Sequence, residues 1–319
     1  MSDTLPAPSY AEIREAARRI APHAHRTPVL RSRSLDRLAG AELWFKCENL
    51  QRAGAFKFRG ACNAVWSLDP DTAARGVVTH SSGNHGAALA LAASTRGVAA
   101  HVVVPENAVR AKLAAIEHYG ARLHFCAPTM AAREETAERV RADTGAELVH
   151  PFTDARVIAG QGTAALELIE DQGPFDAVLT PVGGGGLVSG TALAAHGLHD
   201  AIEVFGAEPS GADDAYRSLA SGVRVTSMVP DTVCDGLRGI AGEVNLALMR
   251  AHRVAVLRVD DRATLAAMRL LFERLKLVVE PSGAIALAAI LAHPDRFRGR
   301  RVGVVLSGGN VDLDGLRFG

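Results

Sequence analysis

The stretch Ala177-Val178-Leu179-Thr180-Pro181-Val182-Gly183-Gly184-Gly185-Gly186-Leu187-Val188 decides how this chain is built. An apolar run at 177–180 ends in a tract of four glycines, and an Ala-rich helical pattern at 187–196 begins directly behind it. Strands this short and this apolar are covered on both faces, which is the situation inside a parallel sheet. The unit recurs along the chain. Apolar runs at 76–79, 100–104, 122–125, 204–207 and 302–306 share its character, and helical patterns at 86–95, 108–119, 130–144, 161–171 and 262–275 fit between them. This βαβ rhythm predicts an α/β fold of the doubly wound kind. In such folds ligands gather at the carboxyl ends of the strands, so the loops found there carry the functional argument.

Composition narrows the partners. A length of 319 residues is consistent with about two domains, and a 48% hydrophobic content supports a full core. The 35 basic and 35 acidic side chains cancel, so neither nucleic acid nor an anionic membrane is an expected partner. Cys47, Cys62, Cys126 and Cys234 contain no CxxC pair, which argues against a zinc site or a disulfide scaffold. Residues 1–6 lack the basic-then-apolar pattern of a secretory signal, and no stretch reaches the roughly 18 uninterrupted apolar residues of a membrane span. A soluble, cytoplasmic protein is expected. Residues 67–75 and the His150-Pro151 step are the best chain crossings, giving a larger unit of residues 1–70 and 150–319 and a smaller one of 71–149. The chain ends at Gly319 just after the last strand and loop, which leaves no room for an appended regulatory domain.

Four loops follow predicted strands or apolar segments. Ser81-Ser82-Gly83-Asn84-His85-Gly86 runs straight into a helix, where hydroxyls and free amides can cradle a carboxylate or phosphate. A simple helix cap needs only one such polar residue. The tract Gly183–Gly186 exposes backbone amides with no side chain in the way, which suits a phosphate. It is not a P-loop, because Leu187 and Val188 follow Gly186, and it misses strict G-x-G-x-x-G spacing. Glu208, at the end of the next strand, still stands where a ribose-binding acid would, so a nicotinamide enzyme stays open on these residues. In Glu208-Pro209-Ser210-Gly211-Ala212-Asp213-Asp214 the carboxylates could close around a hard cation, although spacing alone favours an acidic turn capping a helix near Asp213. Leu306-Ser307-Gly308-Gly309-Asn310 would present the Ser307 hydroxyl at the end of the last strand.

The chemistry-bearing stretch is Lys46-Cys47-Glu48-Asn49-Leu50-Gln51-Arg52-Ala53-Gly54-Ala55-Phe56-Lys57-Phe58-Arg59-Gly60-Ala61. A lysine between two aromatics, just after a glycine turn, is expected to be shielded from water. Desolvation then favours the neutral amine, which attacks an aldehyde. The twelve histidines show no HExxH spacing, so a transition-metal hydrolase is disfavoured. Cys234 has no basic partner nearby and reads as a small buried residue.

Taken together, these stretches resemble the serine racemase and threonine dehydratase branch of the fold-type II pyridoxal-phosphate enzymes. The resemblance runs from Arg26-Thr27-Pro28-Val29 through Ser307-Gly308-Gly309-Asn310-Val311-Asp312-Leu313, with the motifs in the family's order. It displaces the nicotinamide reading and implies two open, twisted, mostly parallel sheet domains, like tryptophan synthase β, with the cofactor between them. By resemblance, Lys57 is the Schiff-base lysine with Phe56 packed beside the cofactor. Gly183, Gly184, Gly185, Gly186 and Leu187 bind its phosphate, Asn84 its 3-oxygen and Ser307 its ring nitrogen, with Gly236 and Glu280 lining the site. Ser81, Ser82, Asn84 and His85 form the substrate-carboxylate loop. Glu208, the Ala212 carbonyl and Asp214 match a Mg²⁺ or Ca²⁺ site (Mn²⁺ is a further candidate), which reverses the reading from spacing.

The implied reaction is α,β-elimination of water from L-serine or L-threonine, giving a 2-oxo acid and ammonia. Ser82 matches the second acid of racemases, so serine racemase is the alternative. Arg133 matches a mobile arginine near the racemase substrate pocket and points to 3-hydroxyaspartate. From another class, a non-catalytic pyridoxal-phosphate-binding protein is the rival. The resemblance also implies a homodimer. Departures from the family are Ala55, where serine is frequent, and Cys234, where alanine is usual. Ala87 and Phe152 replace the Gln and Asn of animal serine racemases, which argues against ATP activation.

Overall fold

The computed structural model describes residues 7–108 and 110–312, and for Ala111 and Lys112 the backbone alone. The expectations for residues 1–6, Leu313 and the chain end lie outside the described residues. Ten strands are present among them: β1 (Val29–Leu30), β2 (Glu42–Cys47), β3 (Val77–His80), β4 (Ala100–Pro105), β5 (Arg122–Cys126), β6 (Glu147–Leu148), β7 (Ala177–Pro181), β8 (Glu203–Pro209), β9 (Ala255–Val259) and β10 (Arg301–Leu306). They form a six-stranded sheet ordered β1-β2-β10-β7-β8-β9 and a four-stranded sheet ordered β5-β4-β3-β6. Among these strands only the β1–β2 pairing is antiparallel. All six apolar runs read from the sequence are strands. The central strands β4 and β7 are buried along their whole length, as helix layers on both faces of a parallel sheet require.

Four strands had no such signal. β1 and β6 are two residues long, β9 carries the exposed Arg258, and β2 contains a buried Lys46 that interrupts its apolar run. The pattern at 161–171 is the later part of a longer helix, Ala155–Gln172. Its first turns read as polar and glycine-rich because they pack backbone to backbone. A Cβ on Gly160 would stand 2.6 Å from the Arg59 carbonyl, and one on Gly162 would stand 2.7 Å from the Gly190 carbonyl. Helix Ala155–Gln172 thus clamps helix Lys57–Trp66 on one side and helix Gly186–Leu198 on the other. The two helices that begin at the lysine and at the glycine tract are thereby held in fixed relation.

The last strand completes the frame. Beyond β10, Gly308 bridges Ala55, and the Phe56 amide donates to the Ser307 carbonyl at 2.9 Å. Gly54, at φ +70, makes the turn that brings the chain to this bridge, a conformation that favours glycine.

Candidate active site

Lys57 opens its helix at the carboxyl edge of the six-stranded sheet. Its ammonium donates to the Pro151 carbonyl at 2.9 Å and lies 5.2 Å from the Phe56 ring centroid. The residue keeps some accessible surface, yet the protein around its ammonium is dense enough that desolvation lowers its pKa to about 8. The expected shielding by two aromatics is half right. Phe58 is fully buried and packs into the core against the four-stranded sheet, because successive helix residues are about 100° apart. Phe56 and the segment His150-Pro151-Phe152 supply the cover instead.

That segment is built around neutral imidazoles. His150 Nδ1 accepts from the Phe152 and Thr153 amides at 3.4 and 3.2 Å, and its ring meets His80 and Phe152 edge-on. Burial, then His80 and Lys57, hold its pKa at about 3. His85 is buried, with both ring nitrogens lacking a well-formed hydrogen bond. Burial and the Lys57 charge keep its pKa well below the usual value, with the Val149 backbone only partly opposing this. Lys57 is therefore the group here that changes charge just above neutral pH. We expect the rate at which the cofactor-free protein captures an added aldehyde to rise with an apparent pKa of about 8 and to level off above it. A midpoint near the ordinary lysine value would contradict the desolvated site.

The Ser-Ser-Gly-Asn-His loop joins β3 to helix Asn84–Arg96. Asn84 Nδ2 donates to both Glu280 carboxylate oxygens at 2.9 and 3.2 Å, while its carbonyl oxygen accepts from Asn310 Nδ2 at 3.0 Å. The loop from the four-stranded sheet is thereby tied to two loops of the six-stranded one. Ser81 Oγ accepts a long bond from the Gly83 amide, at 3.4 Å. Ser82 is half-buried, and its hydroxyl has no protein partner among the described residues.

At the glycine tract, Gly185 has φ +93, a backbone state that favours glycine, and a Cβ on Gly184 would collide with the Phe152 ring. Among the described residues, no carbonyl accepts from the amides of Gly184, Gly185 or Gly186, which open the helix Gly186–Leu198. Three free amides at a helix N-terminus form an anion cradle. Leu187 is buried behind it. Ser307 is buried with only a long bond, 3.4 Å, to the Ser282 carbonyl, and the Gly236 amide donates to Ser282 Oγ at 3.0 Å. Cys234 is fully buried, and burial pushes its thiol up to about 12, so it is no nucleophile.

Two predicted sites lie farther along the strand ends. Both Glu208 oxygens accept amides, of Ala215 at 2.9 Å and Tyr216 at 2.8 Å, while Asp214 Oδ2 accepts the Ala241 amide at 2.7 Å. Burial raises Glu208 to about 8 and raises Asp214 as well. Asp214 Oδ1 is buried without a partner among the described residues, and Ala212 sits buried between the two acids. No group of three or more His, Cys, Asp or Glu side chains among the described residues could hold a metal, so a cation here would need the Ala212 carbonyl or water. Arg133, on helix Met130–Thr144, lies where its charge acts on His80 and Cys126. It pairs with no carboxylate among the described residues, and its Nε is buried without a partner.

The family described as pyridoxal-phosphate dependent enzyme matches residues 20–308. The chain belongs to it. This family member is 49% identical to a serine racemase of Arabidopsis thaliana, over 95% of its own length and 93% of the relative's. It is 47% identical to a beta-hydroxyaspartate dehydratase of Paracoccus denitrificans (strain Pd 1222), over 97% and 98% of the two chains. The solved maize serine racemase superposes with a TM-score of 0.94 at 45% identity, covering 97% of this chain and 95% of that one. The residues present fit the family's cofactor: free glycine amides for a phosphate, a lysine of lowered pKa for an aldehyde, and a loosely bonded buried serine for a ring nitrogen.

Residues without a local sequence signal complete the site. The Pro151 carbonyl and the His150 ring come from a segment whose sequence suggests only a chain crossing. Asn245, which bonds the loops together, comes from a stretch with no motif at all.

Proposed function

We propose that this enzyme is an ammonia-lyase that removes water from small β-hydroxy amino acids, with L-serine and L-threonine as first substrates. The observation that carries this reading is Lys57, desolvated and beside the His85 end of the Ser-Ser-Gly-Asn-His loop. When bound, pyridoxal phosphate supplies an aldehyde that condenses with amines and a ring that draws electrons from the substrate Cα. Gly183, Gly184, Gly185, Gly186 and Leu187 would hold its phosphate, Asn84 its 3-oxygen and Ser307 its ring nitrogen, with Phe56, Gly236 and Glu280 lining it. Ser81, Ser82, Asn84 and His85 would bind the substrate carboxylate. Lys57, as the neutral amine, takes the proton from Cα. Glu280 orients Asn84, and the neutral His85 and His150 add no competing cation.

The test is a product assay of the cofactor-loaded enzyme with L-serine, L-threonine and L-threo-3-hydroxyaspartate. Keto acid without D-isomer supports the lyase. Absence of both keto acid and D-isomer from all three would leave a non-catalytic cofactor-binding protein. Two observations favour second readings. The free Ser82 hydroxyl is available to return a proton to the opposite face of Cα, as racemisation requires. Ser82→Ala is then expected to remove D-serine formation while leaving elimination, and parallel loss of both would assign Ser82 to carboxylate binding. Arg133, lacking an acidic partner, would receive the second carboxylate of 3-hydroxyaspartate.

Glu208, Ala212 and Asp214 are proposed to hold Mg²⁺, or Ca²⁺ or Mn²⁺ in its place. Chelation should lower the melting temperature by several degrees, and Mg²⁺ should restore it; an unmoved melt would remove the cation from the scheme. Membership of β3–β6 in one sheet supports the division into residues 71–149 and the remainder. A cytoplasmic homodimer is the form this reading carries. Among the described residues no helix is long and apolar enough to cross a membrane. Sedimentation would check the assembly.

A further inference from the structure

Asn245 lies fully buried on helix Glu243–Ala251, outside the four strand-end loops. Its Nδ2 donates to the Gly184 carbonyl at 2.6 Å and to the Phe152 carbonyl at 2.9 Å. One amide group therefore bonds both the glycine tract and the segment whose preceding residue, Pro151, accepts from Lys57 at 2.9 Å. Packing reinforces the link. The Phe152 ring fills the space that a side chain on Gly184 would need, and Asn245 Cβ stands 2.7 Å from the Cβ position of Gly185. The Gly184 carbonyl has a second donor, the Gly242 amide at 3.1 Å, at the N-terminal end of the same helix. Among the described residues, Asn245 is the sole side-chain donor to the Phe152 carbonyl.

We propose that Asn245 is a positioning residue that couples the phosphate cradle to the lysine, so that the placement of the Gly184 carbonyl and that of the Pro151-Phe152 strap change together. This rests on the reading of Lys57 as the cofactor lysine. A carboxamide suits the task because its two N–H groups can serve two carbonyls at once. Aspartate, of the same shape, turns both contacts into oxygen against oxygen. Alanine leaves the Phe152 carbonyl without its side-chain donor.

The test uses the full-length protein, freed of cofactor, and its Asn245→Asp and Asn245→Ala variants. Binding of pyridoxal phosphate and of pyridoxal, which lacks the phosphate, is read from the visible band formed on Lys57, together with the pH midpoint of pyridoxal capture. Both variants are expected to bind pyridoxal phosphate about 10- to 100-fold more weakly, from the loss of two buried hydrogen bonds, with a much smaller loss for pyridoxal. The capture midpoint should also move up from about 8, because a relaxed strap admits water to Lys57. Equal loss for the two ligands, unchanged affinity, or a phosphate-selective loss with an unmoved midpoint would each overturn the coupling. If the alanine variant fails to fold, the isosteric aspartate carries the same comparison. Absence of pyridoxal capture by the unmodified protein would instead remove the reading of Lys57 on which the proposal stands.

Discussion

Replacing Lys57 with alanine should lower turnover at least about a thousandfold and abolish the visible absorption band of the lysine-bound cofactor. The fold should survive, since the side chain makes one hydrogen bond, to the Pro151 carbonyl, and no ion pair among the described residues. Lys57→Arg sharpens the point by keeping a cation while removing the nucleophile. It should be as inactive as the alanine variant. Circular dichroism and melting would establish that both variants are folded, and keto-acid release would measure turnover. Substantial activity in either variant would sink the assignment, because the lowered pKa and the position at the strand ends would then serve no reaction.

The second large effect is expected behind the lysine, on stability. Arg59 is two residues from Lys57 and fully buried. It makes paired bonds to Glu48, at 2.7 and 2.8 Å, and to Glu167, at 2.8 and 2.9 Å. Lys46 adds a bond to Glu167 at 2.6 Å, and Thr27 one to Glu48 at 2.5 Å. Burial alone would lower the Arg59 pKa, but the carboxylates of Glu48 and Glu167 more than offset it and raise it. Arg59→Met keeps most of the volume and leaves Glu48 without a cation, which should cost about 3–5 kcal/mol. Chemical denaturation would read this as a fall in midpoint at unchanged slope. The double variant Arg59→Met, Glu48→Gln should recover part of the loss, because it removes the stranded charge. A loss below about 1 kcal/mol, or no recovery, would show that the network does not carry the helix.

Much of this was legible in the residues. Strands β3, β4, β7, β8 and β10 announce themselves because a strand covered on both faces must be nearly all apolar, and that constraint is local. β5, at the sheet edge, is mostly exposed or half-buried and shows only part of that signal. The glycine tract is local in part: Gly185 needs its left-handed backbone, whereas the room at Gly184 is taken by the Phe152 ring, which comes from a distant segment. β2 was hidden for the opposite reason. Lys46 and Glu48 look like surface residues until Arg59 and Glu167, distant in sequence, are brought against them. Phe58 looked like a wall of the site and proved to be core, since helical geometry turns it away from its neighbour.

The alternation of strand and helix, the loops at the strand ends and the residue types able to do chemistry there are all written into local sequence. Each depends on properties of short segments: periodicity, backbone freedom at glycine, and the donors a side chain carries. Long-range packing had to settle that Pro151 receives the lysine, that Glu280 holds Asn84 from across the two sheets, and that Asn245 joins the glycine tract to the strap. These contacts link residues from 61 to 196 positions apart. Helix Ala155–Gln172, packed between the helices that begin at the lysine and at the glycine tract, fixes the relation of those two elements. No short segment encodes such a contact, because its energy exists only once both partners have been desolvated together.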